Sequence, residues 1–438
     1  MDEVERFGEA LVGLALEGHL VPEDESRYRA ALLNYLGVAL AGGHEPSVEA
    51  FVRSRAALDA GAHVPLGRSD PLTLADCVMA DCFASSAQAF DDIHFATTTH
   101  PAGPVASAIL GIARLRDVRM GEAVQALAVG MEVECRLGLA LFSPGTGAAP
   151  GWYTTGVAGG VGAAAAAGRL LGLDHEHMAS ALGWAATAAC GVRGTHGSAA
   201  GTFVPALAAR AGLEAVILAR DGIGCGISAL TGANGLMRSI AKTPACARGL
   251  EGIGEVWVSA ETSCKPYPFG FVAFAAIDAA LELADGMRSA TPLRTLEVTV
   301  SPRAAQLGGN PLPATADEAI VSIPYLVART LADPSSVRRP LPSQFSVSSR
   351  EGEILGATRL VADPALVDSA ARISRNGGEL VAVCEAARGS EDKPLAVSEV
   401  IDKFRQICGL ADSDRIADAV MMGDCDLGMM LHVRARTA

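Results

Sequence analysis

Apolar residues recur with helical spacing over most of the first 250 positions. Leu11, Leu14 and Ala15 form one stripe; Pro22-Glu23-Asp24-Glu25 then gives an acidic helix start, followed by Tyr28, Leu32, Leu33, Leu36 and Leu40 before Gly42-Gly43. The same period predicts helices from about Leu72 to Ala89, Pro104 to Leu115, Gly121 to Leu141 and Thr202 to Asp221. A long small-residue helix is predicted after Gly151-Trp152-Tyr153-Thr154-Thr155-Gly156. It contains Gly159-Gly160-Val161-Gly162, but no strand precedes it and the G-x-G-x-x-G spacing of a dinucleotide loop is absent. Asp174 opens a further helix. His175 and His177 lie two apart in its first turn, so they share no face and are not expected to pair on a metal.

Near residue 253 the period changes. Glu255–Val258, Thr295–Val300 and Glu379–Val383 read as strands, with helices from Val272 to Leu283 and Thr315 to Leu331 between them. Glu391-Asp392-Lys393-Pro394 punctuates the return to helices, Leu395 to Leu410 and Ser413 to Met422. The expected fold is mostly α: a large all-helical domain over 1–262 and 394–438, with a smaller inserted α+β domain over 263–393.

Composition narrows the function. At 438 residues, 50% hydrophobic and 19% charged, the chain has ample material for two cores and little tendency to disorder. Aromatics supply 5%, so the helices are expected to pack closely on small side chains. A net charge of −14 argues against nucleic acid as a partner, because counterion displacement needs a cationic surface. The acidic start Met1-Asp2-Glu3-Val4-Glu5-Arg6 has no signal-peptide pattern, and the uncharged run Leu137–Gly168 is broken by prolines and glycines. No membrane partner and a cytoplasmic location are therefore expected. Ten cysteines without C-x-x-C spacing read as small buried hydrophobes.

Three stretches carry dense chemistry. Phe90-Asp91-Asp92-Ile93-His94-Phe95-Ala96-Thr97-Thr98-Thr99-His100-Pro101 places two carboxylates, two imidazoles and three hydroxyls on a loop between apolar helices. Such a loop is a candidate active-site segment, or else a solvated connection whose Asp and Thr side chains cap helices. Gly191-Val192-Arg193-Gly194-Thr195-His196-Gly197-Ser198 allows close backbone approach, and Arg193 could hold a carboxylate; the alternative is an ordinary exposed loop. Ser263-Cys264-Lys265-Pro266-Tyr267-Pro268-Phe269-Gly270 fixes a Lys and a Tyr between prolines at the expected domain junction. Lys265 there is a base, a carboxylate-binding cation, or a snorkelling surface Lys.

Together these segments resemble the MmgE/PrpD family of 2-methylcitrate dehydratase, cis-aconitate decarboxylase and iminodisuccinate epimerase. The likeness rests on Phe90-Asp91-Asp92 with His100-Pro101, the Gly151–Leu173 helix, Gly191-Val192-Arg193 and Lys265-Pro266-Tyr267-Pro268. Ala276–Ala280, Ile323-Pro324-Tyr325 and Asp392-Lys393-Pro394-Leu395 extend it across nearly the whole chain. The resemblance implies a helical domain plus an α+β domain, a homodimer, and a site between domains for a small di- or tricarboxylate. It departs from the decarboxylase and dehydratase pattern at Ala89, where relatives have Asp, and at Tyr153, where they have His. Gly201, Thr202 and Val204 replace a Lys-Pro and a following His, and Gly270 replaces another His.

The activity implied is metal-free and cofactor-free proton transfer at carbon next to a carboxylate. A dehydratase- or decarboxylase-like lyase is expected, with an epimerase and a non-catalytic metabolite binder as alternatives. His100, Lys265, Asp91, Asp92 and Tyr153 are the expected catalytic residues. Arg193, Thr97, His196 and Tyr267 are expected to bind substrate.

Overall fold

The computed structural model describes residues 1–286, 294–375, 379–409 and 412–433. It is mostly α with a smaller α+β part, as the periodicity predicts. Two compact units are present: Met1–Ala87 with Asp91–Thr262 and Ala396–Ala438, and Gln88–Phe90 with Ser263–Leu395.

The first unit is built from helices α1 (Glu3–Glu17), α2 (Pro22–Gly42), α3 (Pro46–Leu58), α4 (Leu74–Ala87), α5 (Ala102–Ala113), α6 (Met120–Phe142), α7 (Thr154–Leu170), α8 (His175–Thr187) and α9 (Ala199–Arg220). α5, α6 and α7 are buried almost all round, and small residues let them approach. A Cβ on Gly130 would stand 2.7 Å from the Gly162 carbonyl, and one on Gly162 would stand 2.5 Å from the Gly130 carbonyl. The glycine run of α7 is therefore a packing device, since any side chain at either crossing position meets backbone. Asp174 caps α8 by accepting from His177 N. α9 is long and apolar enough to cross a membrane, but more than half of its most apolar stretch is buried in this unit.

The chain returns to this unit in two further helices, Val397–Cys408 and Ser413–Met422. The first lies on α2, where buried Lys403 donates to Asn34 Oδ1 at 2.7 Å.

The expected strand at Glu255–Val258 does not form. The segment is a run of turns leading into a 3-10 turn at Val258–Glu261. Its backbone groups are claimed instead by two buried side chains of α6. Arg136 donates to Glu132 Oε1 at 2.6 Å and to the carbonyls of Gly249 (2.7 Å), Glu251 (3.0 Å) and Val256 (2.6 Å). Glu132 accepts from Val258 N (3.1 Å) and Ser259 N (2.8 Å). Four of the five guanidinium N–H groups and both carboxylate oxygens are thus bonded, the condition under which burying an ion pair is tolerable.

The second unit holds a four-stranded sheet of β1 (Leu296–Val300), β2 (Thr358–Ala362), β3 (Ala371–Arg375) and β4 (Glu379–Cys384), in the order β2-β1-β3-β4. β1 runs parallel to β2 and antiparallel to β3, and β3 and β4 are antiparallel with a register shift at Ile373/Ser374. The sequence pattern supplies β1 and β4. It misses β2 and β3, five residues each, whose alternation is short and mixed with Arg. The expected helix over Thr315–Leu331 is two pieces, Ala316–Ala319 and Ile323–Ala332. Ser322 caps the second through Tyr325 N, and Pro324, which lacks an N–H, sits in its first turn. The helix Phe274–Gly286, here α10, packs on β3 and β4.

Candidate active site

Residues 92–101 fold as a small hairpin. His94 N donates to Thr99 O at 2.9 Å, and Thr98 N closes the turn onto Phe95 O with Thr98 itself at φ +53°. The first two residues of α7 pin this loop. Thr154 Oγ1 donates to Thr98 O at 2.7 Å, and Thr155 Oγ1 accepts from His100 N at 2.9 Å.

The hairpin sends its two imidazoles into different roles. His94 is buried, with Nε2 3.1 Å from Val258 O and Nδ1 2.8 Å from Thr97 Oγ1. A carbonyl only accepts, so Nε2 carries the proton and Nδ1 accepts from Thr97; Thr97 in turn accepts from Thr99 Oγ1 at 2.7 Å. Burial holds this ring well below the ordinary histidine value, at about 4, against the opposing bond to Val258. His94 is a neutral structural group. Thr97, expected to bind substrate, is buried with its hydroxyl committed to His94 and Thr99.

His100 is held by carboxylate and carbonyl oxygens instead. Its Nδ1 lies 2.6 Å from Asp92 O and 3.1 Å from Asp91 Oδ2, two acceptors that fix the proton on Nδ1. Nε2 is then the nitrogen whose lone pair can take a proton. Asp92 caps α5 through Ala102 N → Oδ2 (3.0 Å), so the helix-capping alternative for this loop is also realised. Its Oδ1 is buried with no hydrogen-bond partner. Burial, then the adjacent Asp91, push the Asp92 carboxyl up to about 6 despite the Ala102 bond and His100.

A second loop meets the first. Residues 151–153 pair with 191–193: Tyr153 N donates to Gly191 O (3.1 Å), Arg193 N to Gly151 O (2.8 Å), and Trp152 bridges Val192. Gly191 stands at φ +101°, with Val204 Cγ1 2.5 Å from where its Cβ would be. This pairing brings Tyr153, Arg193 and His196 together, and the Tyr153 and His196 rings stack at 5.0 Å and 9°. Burial raises the Tyr153 phenol, and the Asp91 charge adds to the rise while Arg193 opposes it, so the hydroxyl stays a donor. His196 is exposed overall, yet Tyr153 covers one face of its ring. Desolvation first, then the Arg193 and His100 charges, lower its pKa against the bond from Nδ1 to Arg193 O.

Sequence reasoning passed over Glu134. It lies in α6, fully buried, with both carboxylate oxygens unpartnered, and Oε2 is 3.4 Å from where a Gly159 Cβ would be. Burial first, and Asp92 second, raise it well above the ordinary value, which favours the protonated acid. Its signal was present: Glu132, Glu134 and Arg136 crowd three charges into five residues of an otherwise apolar helix.

Lys265 and Tyr267 belong to the second unit. Lys265 is buried, and Tyr267 donates its hydroxyl to Asp278 Oδ1 at 2.5 Å. The positions that depart from the family pattern are built into the packing. A Cβ on Gly270 would stand 2.8 Å from Val321 Cγ1, and one on Gly201 2.9 Å from Thr195 O. Ala89 has φ +48°, a conformation that Asn and Asp adopt more readily than Ala.

The helical unit carries a carboxylate–imidazole pair beside a phenol and is joined in one chain to a small α+β unit, the two-part build of a known protein family. Residues 18–248 match the MmgE/PrpD N-terminal domain and residues 267–422 the MmgE/PrpD C-terminal domain; the chain belongs to the MmgE/PrpD family. It is 28% identical over 210 residues to cis-aconitate decarboxylase of Aspergillus terreus, covering 46% of this chain and 43% of that protein. It is 34% identical over 140 residues to the cis-aconitate decarboxylase-like protein oryM of Aspergillus oryzae, covering 30% and 29%. The chain thus matches less than half the length of these curated relatives.

Proposed function

We propose that this protein is a carbon-acid enzyme that moves a proton next to a carboxylate of a small di- or tricarboxylate, as a lyase of the dehydratase or decarboxylase type. One observation carries the reading: His100 Nδ1 is fixed by Asp92 O and Asp91, which turns Nε2 into the basic nitrogen. In the hydro-lyase form, Nε2 takes the proton from carbon as the C–O bond breaks. The pair of electrons from C–H forms the alkene, and the Tyr153 hydroxyl supplies the proton with which hydroxide leaves as water. Arg193 holds a carboxylate of the substrate. In the carboxy-lyase form, His100 starts protonated on both nitrogens with a proton taken from solvent; the C–C bond breaks, its electron pair stays on carbon, carbon dioxide leaves, and Nε2 gives its proton to the carbanion. The sequence likeness to cis-aconitate decarboxylases supports the lyase class and leaves the substrate to experiment.

The packed glycines at 201 and 270 support a second reading, epimerisation, because they close off positions at which the lyase relatives carry cationic or imidazole groups. A panel of hydroxy- and unsaturated di- and tricarboxylates in deuterium oxide decides between them. Ultraviolet absorbance of a new alkene, or release of carbon dioxide, supports the lyase. Solvent deuterium entering a substrate of otherwise unchanged composition supports the epimerase. No turnover by the wild type, with ligand-dependent rises in melting temperature, would leave a metabolite binder.

A further inference from the structure

The second unit contains a side-chain cluster for which the His100 chemistry has no use. Asp278 projects from α10 and accepts on both oxygens: the Tyr267 hydroxyl on Oδ1 at 2.5 Å and the Arg388 backbone N–H on Oδ2 at 2.6 Å. The Arg388 side chain also hydrogen-bonds to Tyr267, and Cys384 Sγ lies 4.0 Å from Asp278 Oδ2. One half-buried carboxylate therefore ties the turn containing Lys265-Pro266-Tyr267 to the turn containing Arg388-Gly389.

The two turns also fit each other closely at Gly389. Gly389 stands at φ +77°, a Cβ there would collide with Pro266 Cδ, and it would lie 3.4 Å from Cys264 O. Gly389 thus rests on the residues flanking Lys265 on either side. Its own turn is closed by Gly389 N → Lys393 O (2.8 Å), Ser390 N → Ala387 O (3.0 Å) and Lys393 N → Ser390 O (3.1 Å). Pro266 and Pro268 fix the backbone of the first turn, and Phe269 N → Tyr267 O (2.8 Å) closes it. Asp278, bonded to both turns, ties one to the other.

We propose that Asp278 is a positioning residue for Lys265, acting through Tyr267 and the Arg388-Gly389 turn. Asp278 is assigned no step in the reaction. It fixes where the ammonium of Lys265 stands, and so how well that cation meets a carboxylate.

The sequence has four lysines, Lys242, Lys265, Lys393 and Lys403, so full-length protein labelled with [ε-13C]lysine gives a spectrum simple enough to read. Lys265→Arg assigns the Lys265 signal. Asp278→Asn and Tyr267→Phe are expected to move that signal, with Tyr267→Phe the smaller change, while Asp363→Asn, on an exposed pair with Arg372, leaves it in place. With a turned-over substrate, both variants lower kcat on the order of tenfold to a hundredfold with less change in KM, the effect of misplacing a group by about an ångström. An unmoved Lys265 signal in both variants, at wild-type melting temperature, overturns the proposal. If Asp278→Asn does not fold, Tyr267→Phe decides alone, since it removes one hydroxyl and keeps the ring. The kinetic arm rests on the carbon-acid reading; the spectral arm does not, so a wild type without turnover defeats that reading and leaves this one to the Lys265 signal.

Discussion

Asp91 holds the proton-bearing nitrogen of His100: Oδ2 stands 3.1 Å from Nδ1, on the same side of the ring as the Asp92 carbonyl at 2.6 Å. A carboxylate in this place orients the imidazole and stabilises the imidazolium that forms when Nε2 takes a proton.

Asp91→Asn keeps the shape and loses the charge. A hydrogen bond to a charged partner contributes about 1.5–3 kcal/mol, so kcat should fall roughly tenfold to a hundredfold. His100→Ala should lower it by about 10²–10⁴-fold, the span of general acid–base catalysis. Steady-state kinetics on any accepted substrate reads both. Unchanged turnover in His100→Ala would remove His100 from the mechanism.

The buried carboxyls predict a gain of stability on neutralisation at alkaline pH. Asp92 and Glu134 both have folded-state pKa values above their unfolded ones, Asp92 at about 6 and Glu134 well above the ordinary carboxylate value. What they contribute is complete below the ordinary carboxylate range and is lost as pH rises through those values. Asp92→Asn, which keeps an oxygen for Ala102 N, and Glu134→Gln should each be more stable than wild type at pH 8, by roughly 1–3 kcal/mol. The advantage should vanish near pH 4. Melting curves across pH test this, and a wild type equal or superior at pH 8 refutes it.

His94 works in the opposite direction. Its folded pKa of about 4 lies below the unfolded 6.5, so its contribution is complete above 6.5 and is lost as pH falls through about 4. Proton–nitrogen spectra of the nine histidines should show His94 as a neutral Nε2–H ring at pH 5. Thr97→Val strips Nδ1 of its donor and should destabilise the protein by about 1–3 kcal/mol. A neutral effect on stability, together with a raised KM, would instead make Thr97 a substrate ligand.

Two departures from the family pattern should respond differently to reversal. Ala89→Asp meets a backbone already at φ +48° and should fold without loss of stability. Gly270→His places a Cβ 2.8 Å from Val321 Cγ1 and should cost about 1–3 kcal/mol, the usual penalty of overpacking. Chemical denaturation of the two single variants measures the contrast.

The helical architecture was legible because its signals are local. Capping residues such as Asp174, prolines at helix starts and the 3.6-residue period mark α1, α2 and α4 to α9 within a few positions, whereas α3 (Pro46–Leu58) was not anticipated. The strand expected at Glu255–Val258 failed for a non-local reason: Arg136 and Glu132, more than a hundred residues away, take its hydrogen bonds. In the 90–104 loop the density of chemistry was visible, but residue type and spacing alone do not separate His94 from His100; only the family resemblance singled out His100. Their difference is set by Val258 O on one side and by the turn back to Asp92 O on the other. Glu134 was hidden because a carboxylate inside an apolar helix reads as surface until its neighbours are known.

The Arg136 network also fixes an order of events. Its guanidinium bonds carbonyls that follow it by 113, 115 and 120 residues, so during synthesis α6 emerges well before the chain that satisfies it. Until residues 249–256 arrive, that cation has no dry place to go, and the helix end carrying it stays wet. Closure of this loop is then a late step in maturation of the helical unit. Arg136 is the latch on which the finished core waits.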